Sequence, residues 1–298
     1  MYLRLFEVAG GEPGSVWHLL LMYMQHGMTD LAESTQQHYR NDCLRLLHHF
    51  GHFQNIELEP THVAQFLEWC KENNRTTCGN REKAVLASAF EYGMRKGWAT
   101  FNPCRGVRRN QEKPATDYVE HETLVAEVNR APPELAALYG VAYLLGIRQT
   151  DLRLVEVSAI THEGLKVTES KTGKLNTHAI TPTVRTFLQM ALEHKERRAC
   201  HCEAVAARMA QRSEYESAEA WQEKAAAIRA RPQIFLSHRG LPWTVWGLQS
   251  ALRRFEPAFR FRQLRPKAQT DAPNENILGH TGQMRERYTR RRKLDAVK

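Results

Sequence analysis

Apolar residues recur with helical spacing through the first third of the chain. Ser34, Thr35, Gln36 and Gln37 have capping-box spacing, and behind them Tyr39, Cys43, Leu46, Leu47 and Phe50 repeat with the helical period until Gly51. A second helix is predicted from Pro60-Thr61, with Val63, Phe66, Leu67 and Cys70 on one face, and a third over roughly Asn80 to Lys96, stopped by Gly97. The Met, Trp and Phe residues at these positions read as core. Asn102-Pro103 and the polar stretch Arg108 to Thr116 mark an exit from this unit and a linker. The predicted division is a lead-in at 1–14, a helical domain at 15–110, a linker at 111–116 and a second domain at 117–298.

The second domain has a different texture. Leu135 to Leu145 is an apolar helix ending at Gly146, and Gln149 to Leu154 forms another short helical turn. Two short alternating segments follow, Leu165 to Glu169 and Thr177 to Thr181, with Lys171-Thr172-Gly173-Lys174 between them as the turn of a hairpin. Val184 to Leu192 returns to helix. Residues 195–230 are alanine-rich and charged without a strong apolar face, which predicts a long helix or helical hairpin inserted into the domain. Ile234 to Leu236 is a short buried strand or loop, Arg239-Gly240 a turn, and Val245, Leu248, Leu252 and Phe255 mark a further helix. The fold class is therefore mainly α with a small β-hairpin or sheet (α+β).

Composition narrows the function. A chain of 298 residues with 42% hydrophobic content is long enough for two cored domains. Its densest apolar stretch, Val16 to Met24, is short and contains His18, so neither a secretory signal nor a membrane span is predicted. A cytoplasmic protein without a membrane partner is expected. Six scattered cysteines read as reduced thiols, and Cys200-His201-Cys202 is too tightly spaced for a usual zinc half-site, so no metal or cofactor is assigned. The net charge of +9 is concentrated: residues 253–298 hold thirteen Lys/Arg against five Asp/Glu. Such a localised basic surface suits a polyanion, nucleic acid first; a solubilising tail is the competing reading.

The chemistry-bearing residues lie in the second domain. Arg148 stands in Gly146-Ile147-Arg148-Gln149-Thr150-Asp151-Leu152, at a turn opening a short helix; Lys171 sits at the hairpin tip. Arg262-Gln263-Leu264-Arg265 follows, then Leu278-Gly279-His280, and Tyr288 eight residues later. In this order the segments resemble the tyrosine recombinase (phage integrase) family, which carries an arginine in G-x-R-x-x-E/D-L, a hairpin lysine, H-x-x-R, L-G-H and a C-terminal tyrosine. Asn102-Pro103 and the run Arg287-Tyr288-Thr289-Arg290 place the resemblance in its phage and prophage branch.

The resemblance implies a helical core-binding domain followed by a catalytic domain, acting on double-stranded DNA attachment sites as a site-specific recombinase. Tyr288 would be the nucleophile, Arg148, Arg262 and Arg265 the phosphate-binding groups, Lys171 the proton donor to the leaving 5′-oxygen, and His280 a phosphate or tyrosine partner. Neither metal nor ATP is implied, because the bond energy is kept in a 3′-phosphotyrosine. Four protomers on two DNA sites, a directionality factor, a nucleoid location and loss of a separate N-terminal arm-binding domain are further expectations. Two features depart from the pattern. Arg262 stands where the family has a histidine, so it can donate to phosphate but not act as a base at neutral pH; the His280 to Tyr288 interval is one residue shorter than usual. A decayed integrase that only binds DNA, or an enzyme that relaxes supercoils, are the alternatives.

Overall fold

A computed structural model of the chain describes residues 12–113 and 117–272. His280 and Tyr288 lie outside the described residues. Contacts divide the chain into two compact units, Met1–Pro114 and Ala115–Lys298.

In the first unit, Ser15 caps helix α1 (Val16–Met22) by accepting a hydrogen bond from His18 N, and the helix continues into a π-turn at Tyr23–Gly27. Helices α2 (Glu33–Phe50), α3 (Pro60–Glu72) and α4 (Thr76–Arg95) follow. Their periodic apolar positions, among them Leu19, Leu46, Val63, Leu67, Leu86 and Phe90, form one core. The segment after α4 is tied to that helix: the Asn102 side chain donates to Ala87 O and Glu91 Oε1 and accepts from Cys104 N. Two predicted boundaries are corrected. The cap of α2 is Ala32 rather than a Ser34 capping box, because Leu31 packs on the core and fixes an earlier helix start. Helix α4 begins at Thr76, four residues before the predicted Asn80.

In the second unit, helices α5 (His121–Arg130) and α6 (Pro133–Leu145) precede the four-residue α7 (Gln149–Leu152). A three-stranded antiparallel sheet follows in the order β1 (Ile160–Thr161), β2 (Gly164–Thr168), β3 (Leu175–His178), with Leu165 opposite His178 and Val167 opposite Asn176. The second hairpin strand therefore starts two residues before the predicted Thr177. Helix α6 is buried almost all round and lies against helix α8 (Pro182–Gln211), where Gly140 gives room to the Phe187 ring. Helix α8 runs without a break through the predicted boundary at 195 and turns back as α9 (Tyr215–Ala230). The hairpin packs through small residues, Ala199, Cys202 and Ala225, around Ile228 and Leu236. Helix α10 (Val245–Phe255), a 3-10 turn (Phe261–Gln263) and α11 (Leu264–Asp271) complete the described part, with Phe255, Phe259 and Phe261 packed around Tyr139 of α6.

Candidate active site

The site is assembled where α6 stops. Gly146 adopts a left-handed conformation (φ 63°) that ends the helix and turns its carbonyl free of the helical ladder. Ile147 is buried and Arg148 follows in extended backbone as the N-cap of α7, its own carbonyl accepting from Asp151 N and Leu152 N. A short rigid turn thus fixes the base of the Arg148 side chain, which is one-quarter exposed.

Three elements converge on this turn. From α11, Arg265 Nη1 donates to Gly146 O at 2.7 Å. From the end of β2, Glu169 Oε1 lies 2.9 Å from Arg148 Nη1 and 3.7 Å from Arg265 Nη2, so one carboxylate oxygen faces both guanidinium groups. From α7, the buried Asp151 carboxylate accepts from Ser170 N at 3.1 Å and from Ser170 Oγ, fastening the hairpin, and lies 3.6 Å from Arg148. The cleft between these groups is small, about 20 Å³, and is lined further by Val167, Asn176 and His178.

Electrostatics follow from this arrangement. Burial pushes the Glu169 carboxyl up, but Arg148 and Thr172, with Arg265 behind them, outweigh it and hold the group below the ordinary carboxylate range. Burial and then the Arg265 charge push His178 below the usual imidazole value, so its ring is neutral at pH 7. The charged groups of the cleft are then two guanidinium ions and two carboxylates.

Of the residues singled out in the sequence, Arg148 and Arg265 are brought together. Lys171 is exposed in the turn two residues beyond Glu169, a turn closed by Gly173 N donating to Glu169 O and Glu169 N donating to Lys174 O. Arg262 is exposed on the 3-10 turn and joins neither of the Glu169 ion pairs. Glu169, Asp151 and His178 were not singled out. Leu165 and Val167 are buried on one face of β2 and Glu169 continues that alternation just past the strand end, but the pattern does not show what it meets there.

No family model and no curated protein matches the sequence. Solved structures do match. A lambda integrase tetramer bound to a Holliday junction is similar over 99% of this chain and 83% of its own, at 14% identity and a TM-score of 0.75. A lambda integrase dimer bound to a COC′ core site is similar over 95% of this chain and 98% of its own, at 15% identity and a TM-score of 0.72. The Tn1549 transposon integrase in complex with circular intermediate DNA gives 94%, 97%, 13% and 0.62 for the same quantities. With its helical first unit and its second unit of helices around a three-stranded antiparallel sheet, this chain has the fold of the tyrosine recombinases.

Proposed function

We propose that the chain is a site-specific DNA recombinase that cleaves and rejoins duplex DNA through a covalent bond to Tyr288. The observation that carries the reading is the convergence of Arg148 and Arg265 on one anion-holding cleft in a chain of integrase fold. Phosphoryl transfer passes through a transition state whose charge sits on the nonbridging oxygens, and fixed guanidinium donors are the groups that stabilise it. Both arginines are preset for this, one by a helix N-terminus and the other by the Gly146 carbonyl.

The reaction balances without an external energy source. The Tyr288 hydroxyl gives its proton to water and its oxygen bonds to phosphorus as the bond to the 5′-oxygen breaks, and Lys171 supplies the proton that the 5′-oxygen takes up. A 5′-hydroxyl from a second strand then reverses these steps and releases Tyr288. Arg262 joins the phosphate-binding set, and His280 orients the phosphate or the tyrosine. Duplex DNA and further copies of the chain are the partners of this reading; the lambda and Tn1549 integrases are seen on DNA, and one lambda structure is a tetramer.

The test is a nicked suicide duplex carrying the protein's own attachment site. Wild type is expected to form a covalent protein–DNA band and Tyr288→Phe none. Tight binding without a band in wild type would favour the decayed, binding-only reading; a band that survives Tyr288→Phe would assign the nucleophile elsewhere. Relaxation of plasmids lacking the site would indicate a topoisomerase-like activity instead.

A further inference from the structure

The donors that would bind a DNA phosphate already hold an anion of the chain's own. Glu169 Oε1 is within 2.9 Å of Arg148 Nη1 and 3.7 Å of Arg265 Nη2, and its side chain is only 14% exposed. We infer that Glu169 is a resident competitor for phosphate: its carboxylate occupies the two-arginine cleft in the free protein and must give way before a phosphate binds there. This inference rests on the recombinase reading for its biological meaning, but the competition itself concerns anion binding alone.

The two carboxylates of the cleft are not equivalent. Asp151 is held by Ser170 through two hydrogen bonds and lies farther from Arg148, at 3.6 Å. Glu169 has one oxygen on the arginines and the other accepting from the Thr172 hydroxyl of the exposed turn, at 2.8 Å. Arg265 keeps its bond to Gly146 O when Glu169 leaves, so the cleft survives the exchange. Charge gives the motive. With both carboxylates in place the two guanidinium charges are cancelled, and an arriving phosphodiester meets a neutral site; once Glu169 is displaced, it meets a net positive one. In the absence of DNA the same carboxylate supplies counter-charge to Arg265, whose side chain is 11% exposed.

Two opposed effects of one substitution follow. In the full chain, Glu169→Gln keeps the size of the side chain and an oxygen acceptor toward Arg148 while removing the charge. Without added anion, its thermal midpoint is expected to fall below wild type. Inorganic phosphate at pH 7, titrated calorimetrically, is expected to bind the variant about ten-fold or more tightly than wild type, in line with the loss of one charged competitor. Phosphate should also raise the variant's midpoint more than that of wild type. Adding Arg148→Ala to the variant should abolish the gain.

Phosphate affinity in folded Glu169→Gln that equals or falls below wild type overturns the inference, as does a gain that persists after Arg148→Ala. Glu169→Asp, which draws the charge back by one methylene, provides the second variant; it should show a smaller gain in the same direction, and no gain counts against the inference. The suicide-duplex assay separates the two readings. A phosphate gain without any covalent adduct leaves the competitor in place and removes the recombinase; an adduct with unchanged phosphate affinity does the reverse.

Discussion

At the scale of single residues, Arg265 joins two parts of the candidate site. It ties α11 to the end of α6 through Gly146 O and shares Glu169 with Arg148. Removing one preorganised donor from a transition-state site costs about 10²–10³ in rate, so Arg265→Ala is expected to slow adduct formation on the suicide duplex by that factor. Arg265→Lys should recover little of it, because one ammonium cannot both hold the Gly146 carbonyl and offer a planar pair of donors. Near-wild-type rates for the lysine variant would sink the role given to Arg265. Arg148, Lys171 and Arg265 were singled out by their order along the chain rather than by any one local signal, and the fold brings the two arginines to one carboxylate. Glu169 was not, since nothing in its local pattern says that a strand end will meet two arginines from other elements. Arg262, which the motif spacing also picked out, is exposed on the 3-10 turn and joins neither Glu169 ion pair.

At the scale of elements, the placement of Arg265 depends on how α11 is held. Two residues on, Lys267 is fully buried, bonded to the Tyr118 hydroxyl at 3.0 Å and paired with Asp271 at 2.9 Å, with its ammonium 4.5 Å from the Tyr118 ring centre. The Asp271 carboxylate also accepts from Tyr118 and from the Tyr143 hydroxyl of α6. Burial alone would raise its pKa, but the hydrogen bonds from Tyr118, Lys267 and Tyr143 outweigh that and depress it. A depressed carboxylate contributes stability that is present above the unfolded-state value near 4 and is lost as the pH falls through the folded value. Asp271→Asn is therefore expected to destabilise the second unit by up to about 3 kcal/mol at pH 7, because it leaves the buried Lys267 ammonium without its counter-charge. The gap to wild type should narrow in acid. Urea melts at pH 7 and pH 3 check this, and an equal gap at both would rule out the ion pair as its source. None of this was visible in the sequence, where Lys267 looked like one more cation of a basic segment. Helix positions were legible wherever large apolar residues marked a face. The α8–α9 hairpin was only half legible, because alanine and cysteine pack closely there without leaving an apolar stripe.

At the scale of the whole molecule, the question is whether the charge excess is available to a partner or consumed internally. The structure separates the two cases within the basic segment. Arg265 and Lys267 are spent on Glu169 and Asp271, whereas Arg253 and Arg254 on α10 and Arg260 beyond it are exposed. Two well-cored units account for stability without them, so the charges of these three arginines have no evident structural task among the described residues. If they bind DNA phosphates, each releases bound counterions, and the slope of log affinity against log salt shrinks by about 0.9 for each phosphate that is no longer neutralised. Replacing all three by glutamine is accordingly expected to reduce the magnitude of that slope by up to about 3, measured with a duplex of arbitrary sequence across a range of salt concentrations. Affinity should drop most at low salt, while urea stability stays within about 0.5 kcal/mol of wild type, as for surface changes away from packed or paired groups. An unchanged slope would mean that this basic surface only keeps the protein in solution, and that DNA is gripped by other residues.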